Sequence, residues 1–215
     1  MHNPDTILID YGMGNILSVK RALEHVGAHV IVSSNPDLIS KARRLVLPGV
    51  GAFPDAMEEL NHRGLASAIK EAVFGSTPLL GICLGMQVLF ETSTEFIETS
   101  GLGLIPGKVT SIPRERDDGY VRKIPHIGWS ALYSDCGKSW EGTILKDLAQ
   151  ADSVYFVHSF MAQPSYTKHR IASCNYEGIS IPAVVGVENI VACQFHPEKS
   201  GEVGLRLLKN FLSEY

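Results

Sequence analysis

Residues 79–87 have the sequence Leu79-Leu80-Gly81-Ile82-Cys83-Leu84-Gly85-Met86-Gln87, an apolar strand pattern that runs into a helix without a linker. A nucleophile between glycines at such a junction is typical of a nucleophile elbow. The glycines let strand and helix approach closely, so that the side chain of Cys83 projects above the sheet. A helix N-terminus beside the sulfur favours the thiolate and makes the Leu84 amide a candidate oxyanion donor. Alone, the pattern leaves open that Cys83 is a small buried apolar residue.

The chain around this junction alternates short apolar runs with segments of helical period, which predicts β-α units feeding a parallel sheet. The pattern predicts strands at 6–10, 29–32, 45–47 and 79–82, and helices from residue 16 and over 55–74 and 84–91. Further strands of more antiparallel character are predicted at 103–111, 127–133, 154–157, 171–175, 183–187 and 190–195. We predict one α/β domain over residues 1–215, with an open, mostly parallel twisted sheet flanked by helices and a smaller antiparallel section in the second half.

The composition excludes several classes of function. The 215 residues are 45% hydrophobic and 20% charged with a formal charge of -4, which indicates no nucleic-acid or membrane partner. The sequence has no basic leader and no apolar run of roughly 18 residues, so we predict a cytoplasmic protein. Four scattered cysteines without a C-x-x-C pair predict free thiols, no metal site and no cofactor. The charged stretch 114–122 is predicted to be a solvated hairpin or loop.

A second motif supplies a candidate base for the nucleophile and a carboxylate to orient that base. Gln194-Phe195-His196-Pro197-Glu198 follows an apolar strand, at the end of which sites in open α/β sheets gather. We predict that His196 is the base for Cys83 and that Glu198 orients the base. Taken singly, His196 could be a core or surface histidine, and Glu198 a solvated carboxylate. A glycine-bearing turn at 48–51 could present backbone amides to the same cleft.

Three motifs together resemble the class I glutamine amidotransferases, whose fold is flavodoxin-like: P-G-V-G-A-F at 48–53, G-I-C-L-G-M-Q at 81–87 and Q-F-H-P-E-K-S at 194–200. Residues 10–15, 101–107, 125–129 and 155–159 resemble the glutaminase subunit of imidazole glycerol phosphate synthase. The resemblance implies a Cys-His-Glu triad that hydrolyses L-glutamine through a glutamyl thioester. It implies oxyanion donors at the amides of Leu84 and of Val50 or Gly51. It also implies contacts to glutamine from Gln87, Glu95, His158, Ser159 and Phe160.

The same resemblance implies a partner. The ammonia would pass to a (β/α)₈-barrel synthase (cyclase) subunit in a heterodimer, which forms imidazole glycerol phosphate and aminoimidazole carboxamide ribotide in histidine biosynthesis. The turn at 48–51 would need the loaded partner to reach its donating form. Positions that match the interface and ammonia passage are Asn15, Trp129, Tyr155 and Lys199. Each has an ordinary alternative, such as a core tryptophan or a solvated lysine.

Other readings of the function remain open at this point. The stretch 175–187, and Phe160 where a tyrosine is frequent, resemble a paralogous branch that supplies ammonia to a sugar amidotransferase in surface-polysaccharide biosynthesis. A stand-alone cysteine hydrolase or peptidase is disfavoured, because the motifs extend far beyond the nucleophile. A binding or regulatory pseudoenzyme is disfavoured by the intact Cys83, His196 and Glu198.

Overall fold

The structure is a computed structural model that describes residues 6–116, 119–137 and 139–215. The strands are β1 (Thr6–Ile9), β2 (Val30–Ser33), β3 (Leu45–Gly49), β4 (Leu79–Cys83), β5 (Phe90–Ser93), β6 (Thr99–Ser100), β7 (Ile105–Ser111), β8 (His126–Ala131), β9 (Tyr133–Ser134), β10 (Ser153–His158), β11 (Phe160–Pro164), β12 (Arg170–Tyr176), β13 (Ile179–Val187) and β14 (Ile190–Cys193). The α-helices are α1 (Ile16–His25), α2 (Pro36–Ile39), α3 (Phe53–His62), α4 (Leu65–Phe74), α5 (Leu84–Gln87) and α6 (Gly201–Glu214). Single 3₁₀ turns cover Asp135–Gly137, Thr167–His169 and Pro197–Lys199.

The central sheet has eight strands in the order β2-β1-β3-β4-β14-β13-β12-β9. Pairing is parallel from β2 to β14 and antiparallel from β14 to β9. A two-stranded sheet (β10-β8) and a four-stranded sheet (β11-β7-β5-β6) complete the second half. The predicted fold class, a mostly parallel α/β sheet with a smaller antiparallel section, is confirmed.

The parallel strands are apolar on both faces because helices cover both faces of the sheet. On β1, Ile7 and Ile9 belong to one core cluster and Leu8 to the other, as the two-residue period of a strand requires. The first cluster includes residues of α3 and α4, and the second includes residues of α1 and α6. The two cores hold β3, β4 and β14 rigidly, and the site lies at the carboxyl ends of these strands.

Two predicted helices were wrong in extent. The helix predicted over 55–74 is two helices, α3 and α4, because Gly64 between them has φ +70°, a left-handed conformation that ends the first helix. The helix predicted over 84–91 ends at Gln87. Beyond it, the carbonyl oxygens of Val88 and Leu89 accept hydrogen bonds from the amides of residues 102, 104 and 105, which draws the chain into β5.

The two arms of the charged stretch 114–122 pair at an antiparallel bridge between Glu115 and Val121, in agreement with the hairpin alternative of the prediction, but the stretch is not wholly solvated. Arg122 is buried and donates to the carbonyl oxygens of Pro113, Glu115 and Glu177. Its guanidinium group therefore fastens the loop to the chain following β12. Asp117 and Asp118 of this stretch lie outside the described residues.

Candidate active site

The junction between β4 and α5 forms the predicted tight turn. Cys83 has φ 55° and ψ −113°, a conformation that non-glycine residues adopt only under strain. The turn has no room for side chains at its two glycines. A Cβ on Gly85 would lie 1.9 Å from the carbonyl oxygen of Leu47, and one on Gly81 would lie 2.9 Å from Leu89 Cδ1. The turn therefore requires glycine at both positions to present Cys83 at the end of the strand.

His196 reaches the same edge because β14 lies beside β4 in parallel register, with Cys193 opposite Ile82. Its Nδ1 atom lies 2.9 Å from Glu198 Oε1, and both side chains are almost completely buried. Nδ1 is thus taken by Glu198, which leaves the other ring nitrogen, Nε2, to interact with Cys83. Burial lowers the pKa of His196, but the interactions with Cys83 and then Glu198 outweigh burial and raise this pKa to about 10. The imidazole is thus arranged to take a proton from Cys83.

A cavity of about 400 Å³ opens above the cysteine, a size suited to a small-molecule substrate. The predicted catalytic residues Cys83 and His196 line it, and Glu198 stands behind His196. The cavity is also lined by every residue predicted to hold the oxyanion or the substrate: Val50, Gly51, Leu84, Gln87, Glu95, His158, Ser159 and Phe160. Residues more than 140 positions apart in the sequence, such as Val50 and His196, thus line one pocket.

The turn at 48–51 points one candidate oxyanion donor away from the nucleophile. The amide of Val50 donates to the carbonyl oxygen of Met13 at 3.2 Å. Gly51 has φ +113°, which few residues other than glycine adopt. The Val50 amide is therefore occupied in this structure, and it can serve an oxyanion at Cys83 only after this peptide reorients.

Glu95 joins the pocket to the start of helix α3. Its Oε2 atom accepts a hydrogen bond from the Phe53 amide at 2.8 Å. The pKa of Glu95 is raised. Burial is the largest cause, the hydrogen bond from Phe53 acts against it, and the charge of Asp55 adds to it. The carboxylate therefore caps the helix that follows the 48–51 turn while it also faces the cavity.

Sequence reasoning gave no role to Gln194, which the structure places at the nucleophile. Its side chain is fully buried, and its Nε2 atom lies 3.8 Å from Cys83 Sγ. Its Oε1 atom accepts a hydrogen bond from Gln87 Nε2 at 2.9 Å. The available signal was a glutamine that directly follows an apolar strand and lies two positions before His196, the predicted base.

The four residues predicted to meet a partner lie close to the site. The rings of Trp129 and Tyr155 are 6.2 Å apart, and Lys199 Nζ lies 6.0 Å from the Tyr155 ring. Trp129 is 59% exposed, so it is not a core residue. Asn15 borders a narrow crevice together with Val50, His196 and Glu198.

Within the described residues, no group of three or more His, Cys, Asp or Glu side chains could hold a metal ion. Cys83, Cys174 and Cys193 are free thiols, and the side chain of Cys136 lies outside the described residues. None of the described helices has the length and apolar character needed to cross a membrane.

Comparison with known proteins identifies the family. The model of the family "Glutamine amidotransferase class-I" matches residues 7–215. The chain belongs to this family. It is 52% identical over 206 residues to the imidazole glycerol phosphate synthase subunit HisH 1 of Legionella pneumophila (strain Lens), covering 95% of this chain and 97% of that protein. It is 46% identical over 205 residues to the subunit HisH of Geobacillus thermodenitrificans (strain NG80-2), covering 95% and 93%.

Solved structures of glutamine amidotransferases share the fold. A crystal structure titled as a glutamine amidotransferase superposes with a TM-score of 0.72 at 17% identity, covering 97% of each chain. The structure of PurLQS from Thermotoga maritima superposes with a TM-score of 0.69 at 18% identity, covering 98% of each chain. The predicted family and fold are both confirmed by these comparisons.

Proposed function

We propose that this chain is the glutaminase subunit of an imidazole glycerol phosphate synthase, which hydrolyses glutamine and delivers the ammonia to a synthase partner. The observation that carries the proposal is the placement of His196 between Glu198 and Cys83 at a pocket of substrate size. Membership of the glutamine amidotransferase family and the high identity to HisH subunits support the same assignment.

The proposed reaction uses Cys83 as the nucleophile. His196 accepts the thiol proton, and the thiolate attacks the carbonyl carbon of the glutamine side-chain amide. The tetrahedral intermediate collapses when the C–N bond breaks and His196 returns the proton to the departing ammonia. Water, deprotonated by His196, then attacks the glutamyl thioester; the C–S bond breaks, glutamate is released, and His196 returns the proton to the Cys83 sulfur. Glu198 holds Nδ1 of the imidazole throughout, so that Nε2 always faces the reacting atoms.

Backbone amides would stabilise the oxyanion of the tetrahedral intermediate. The Leu84 amide is at the first position of α5, directly after the nucleophile. The second donor is the amide of Val50 or Gly51, and the hydrogen bond from Val50 to Met13 must break if Val50 serves. Removing one such donor typically costs about 10²–10³ in rate. We propose that docking of the loaded partner favours the reoriented turn and so couples hydrolysis to demand for ammonia.

Polar groups in the pocket would hold the amino-acid end of glutamine. The Glu95 carboxylate would face its ammonium group, while Gln87 and the segment His158, Ser159 and Phe160 supply amide and carbonyl groups. Burial lowers the pKa of His158 to about 3, so this side chain brings no positive charge to the pocket at neutral pH. The site therefore fits a small zwitterion with one uncharged amide.

We propose that the partner is a (β/α)₈-barrel synthase that docks over Trp129, Tyr155, Lys199 and Asn15 as a heterodimer. Trp129, exposed beside the half-buried Tyr155, has the character of an interface anchor. The crevice between Asn15 and His196 would start the ammonia passage. We further propose that residues 1–215 act as one domain and that the complex works in the cytoplasm, without nucleic acid or membrane.

Reconstitution tests this function. The purified chain should release glutamate from glutamine rapidly only when the synthase subunit and its ribonucleotide substrate are present, and imidazole glycerol phosphate should form in equal amount. Activation instead by a sugar amidotransferase, with no response to the histidine-pathway synthase, would assign the ammonia to the paralogous route. Fast hydrolysis of esters or peptides by the chain alone would contradict the subunit assignment.

A further inference from the structure

A line of hydrogen bonds between buried side chains runs from strand β8 to the glutamine pocket. His126, on β8, and His158, on β10, are directly paired across the two-stranded sheet. Their rings are joined by a contact of 3.0 Å between His126 Nδ1 and His158 Nε2. His126 Nε2 lies 2.9 Å from Ser130 Oγ, and His158 Nδ1 lies 2.8 Å from the carbonyl oxygen of Phe160.

The chemistry of the last acceptor fixes the direction of the contact between the two rings. A carbonyl oxygen can only accept, so His158 carries its proton on Nδ1 and accepts at Nε2. His126 must then donate to it from Nδ1. Burial lowers the pKa of His126 to about 4 and the pKa of His158 to about 3, so both rings are neutral at neutral pH. A neutral His126 that donates from Nδ1 accepts at Nε2, where the hydroxyl of Ser130 donates to it.

Packing holds the outer ring of this pair in one orientation. His126 is only 1% exposed and is stacked between two aromatic rings, with centroid distances of 4.8 Å to Phe156 and 4.0 Å to Tyr176. The hydroxyl of Tyr176 is itself fixed by donation to the carbonyl oxygen of Lys123. The Nδ1 donor of His126 therefore has little freedom to turn away from His158.

The carbonyl oxygen of Phe160 receives a second hydrogen bond, from the pocket side. Gln87 Nε2 donates to it at 3.1 Å and donates its other proton to Gln194 Oε1 at 2.9 Å. Both amide protons of Gln87 are thereby used inside the protein, which leaves its Oε1 atom as the group available to a ligand. Gln194 in turn directs its Nε2 atom towards Cys83 Sγ.

We propose that His126 is a positioning residue for glutamine binding: through His158 it fixes the Phe160 carbonyl, and through that carbonyl the amide of Gln87 that faces the substrate. This inference rests on the proposed glutaminase function. His126 does not line the pocket, so its side chain acts on the substrate through its hydrogen bond to His158, which does line it. Loss of the Nδ1 donor leaves His158 free to turn and the Phe160 carbonyl free to shift.

Substitutions at His126 separate this role from packing. His126→Phe keeps a flat ring between Phe156 and Tyr176 but removes both nitrogens, whereas His126→Asn loses the ring but keeps a donor near Nδ1. We expect KM for glutamine to rise about three- to tenfold in the Phe variant, the loss of roughly one hydrogen bond, with kcat changed less. The Asn variant should retain a KM closer to wild type. All are assayed as the complex with the synthase subunit and its substrate.

A purely structural role predicts the opposite order, because the Phe variant preserves the packing and the Asn variant does not. Equal KM values for wild type and His126→Phe, or a lower KM for Phe than for Asn, would overturn the inference. If the Phe variant does not fold, His126→Gln takes the place of the Phe variant in the comparison with His126→Asn. The glutamine places its amide near the position of Nε2 and leaves the position of Nδ1 without a donor. A wild-type complex without glutaminase activity overturns the proposed function and this inference with it, whereas the other outcomes concern His126 alone.

Discussion

At the scale of single residues, His196 has a strongly raised pKa that its neighbours explain. It is 2% exposed, and a charged imidazole in such a place requires compensation. Glu198 on one side and Cys83 on the other provide this compensation, which is why the pKa of His196 rises to about 10 although burial acts against it. The ring can therefore hold a proton taken from Cys83 and still present it to the leaving ammonia.

The raised pKa of His196 predicts a pH-dependent contribution to stability. The folded protein binds the proton more tightly than the unfolded chain, whose histidine has the ordinary pKa of 6.5. The contribution is complete below about pH 6.5 and is lost as the pH rises through about 10. We expect the free energy of unfolding of wild type, relative to His196→Gln, to fall across this window in urea titrations. A difference that stays constant or grows with pH would contradict the ion pair.

The grouping of Cys83, His196 and Glu198 could be predicted from sequence because each of them has a local signature. Cys83 lies between glycines, and His196 and Glu198 flank a proline directly after an apolar strand. The contact from Gln194 to Cys83 could not be predicted, because it depends on which strand lies beside β4. The occupied Val50 amide also depends on a distant loop, that of Met13.

At the scale of elements, the elbow depends on close packing between α5 and the neighbouring strand β3. A Cβ on Gly85 would lie 1.9 Å from a main-chain oxygen that is itself held in the sheet. Neither group can move without disturbing the turn that presents Cys83. The conformation of the nucleophile is thus a property of the strand, turn and helix together.

Gly85→Ala is therefore expected to destabilise the fold and the elbow. Overpacking against a backbone atom typically costs about 1–3 kcal/mol or more, and we expect the upper end here. Gly75→Ala is the matched control, because its Cβ would lie 3.2 Å from the nearest carbonyl oxygen and its φ is −75°. Thermal and urea unfolding of both variants measures the difference. Equal stability of the two variants would show that the elbow tolerates a side chain.

The C-terminal end of helix α5 could not be predicted from the local sequence pattern. The apolar sequence after Gln87 fits a longer helix, but the carbonyl oxygens of Val88 and Leu89 accept hydrogen bonds from the amides of residues 102, 104 and 105. Such nonlocal hydrogen bonds leave no mark on the sequence around 84–91. By contrast, the apolar runs of β1 and β3 predict these strands well, because burial on both faces requires a continuous run.

At the scale of the molecule, strand order creates the site. The last strand of the sheet along the chain, β14, inserts between β4 and β13, although more than 100 residues separate it from β4. Because β4 and β14 are parallel, their carboxyl ends meet at one edge, and Cys83 and His196 emerge there together. The sequence motifs predict the strand ends but not this insertion, because strand order depends on pairing between segments far apart in the chain.

The proposed partner face predicts a measurable loss of association. Trp129 is 59% exposed beside Tyr155, so truncation removes surface contacts and little of the core. We expect Trp129→Ala to weaken binding to the synthase subunit about tenfold or more, measured by calorimetry. Tyr166→Ala, which removes another aromatic side chain of similar exposure at 55%, is the control and should bind as wild type does. Equal affinities for the two variants would move the interface elsewhere.

The most direct test of the whole account compares two sources of ammonia in the reconstituted complex with Cys83→Ala. We expect glutamine-dependent synthesis to vanish while synthesis from added ammonium salt continues at the wild-type rate, because the partner performs the second reaction. Cys174→Ala, at a buried free thiol on strand β12, should keep both activities. Glutamine-dependent synthesis that survives in Cys83→Ala would contradict the assignment of Cys83 as the nucleophile.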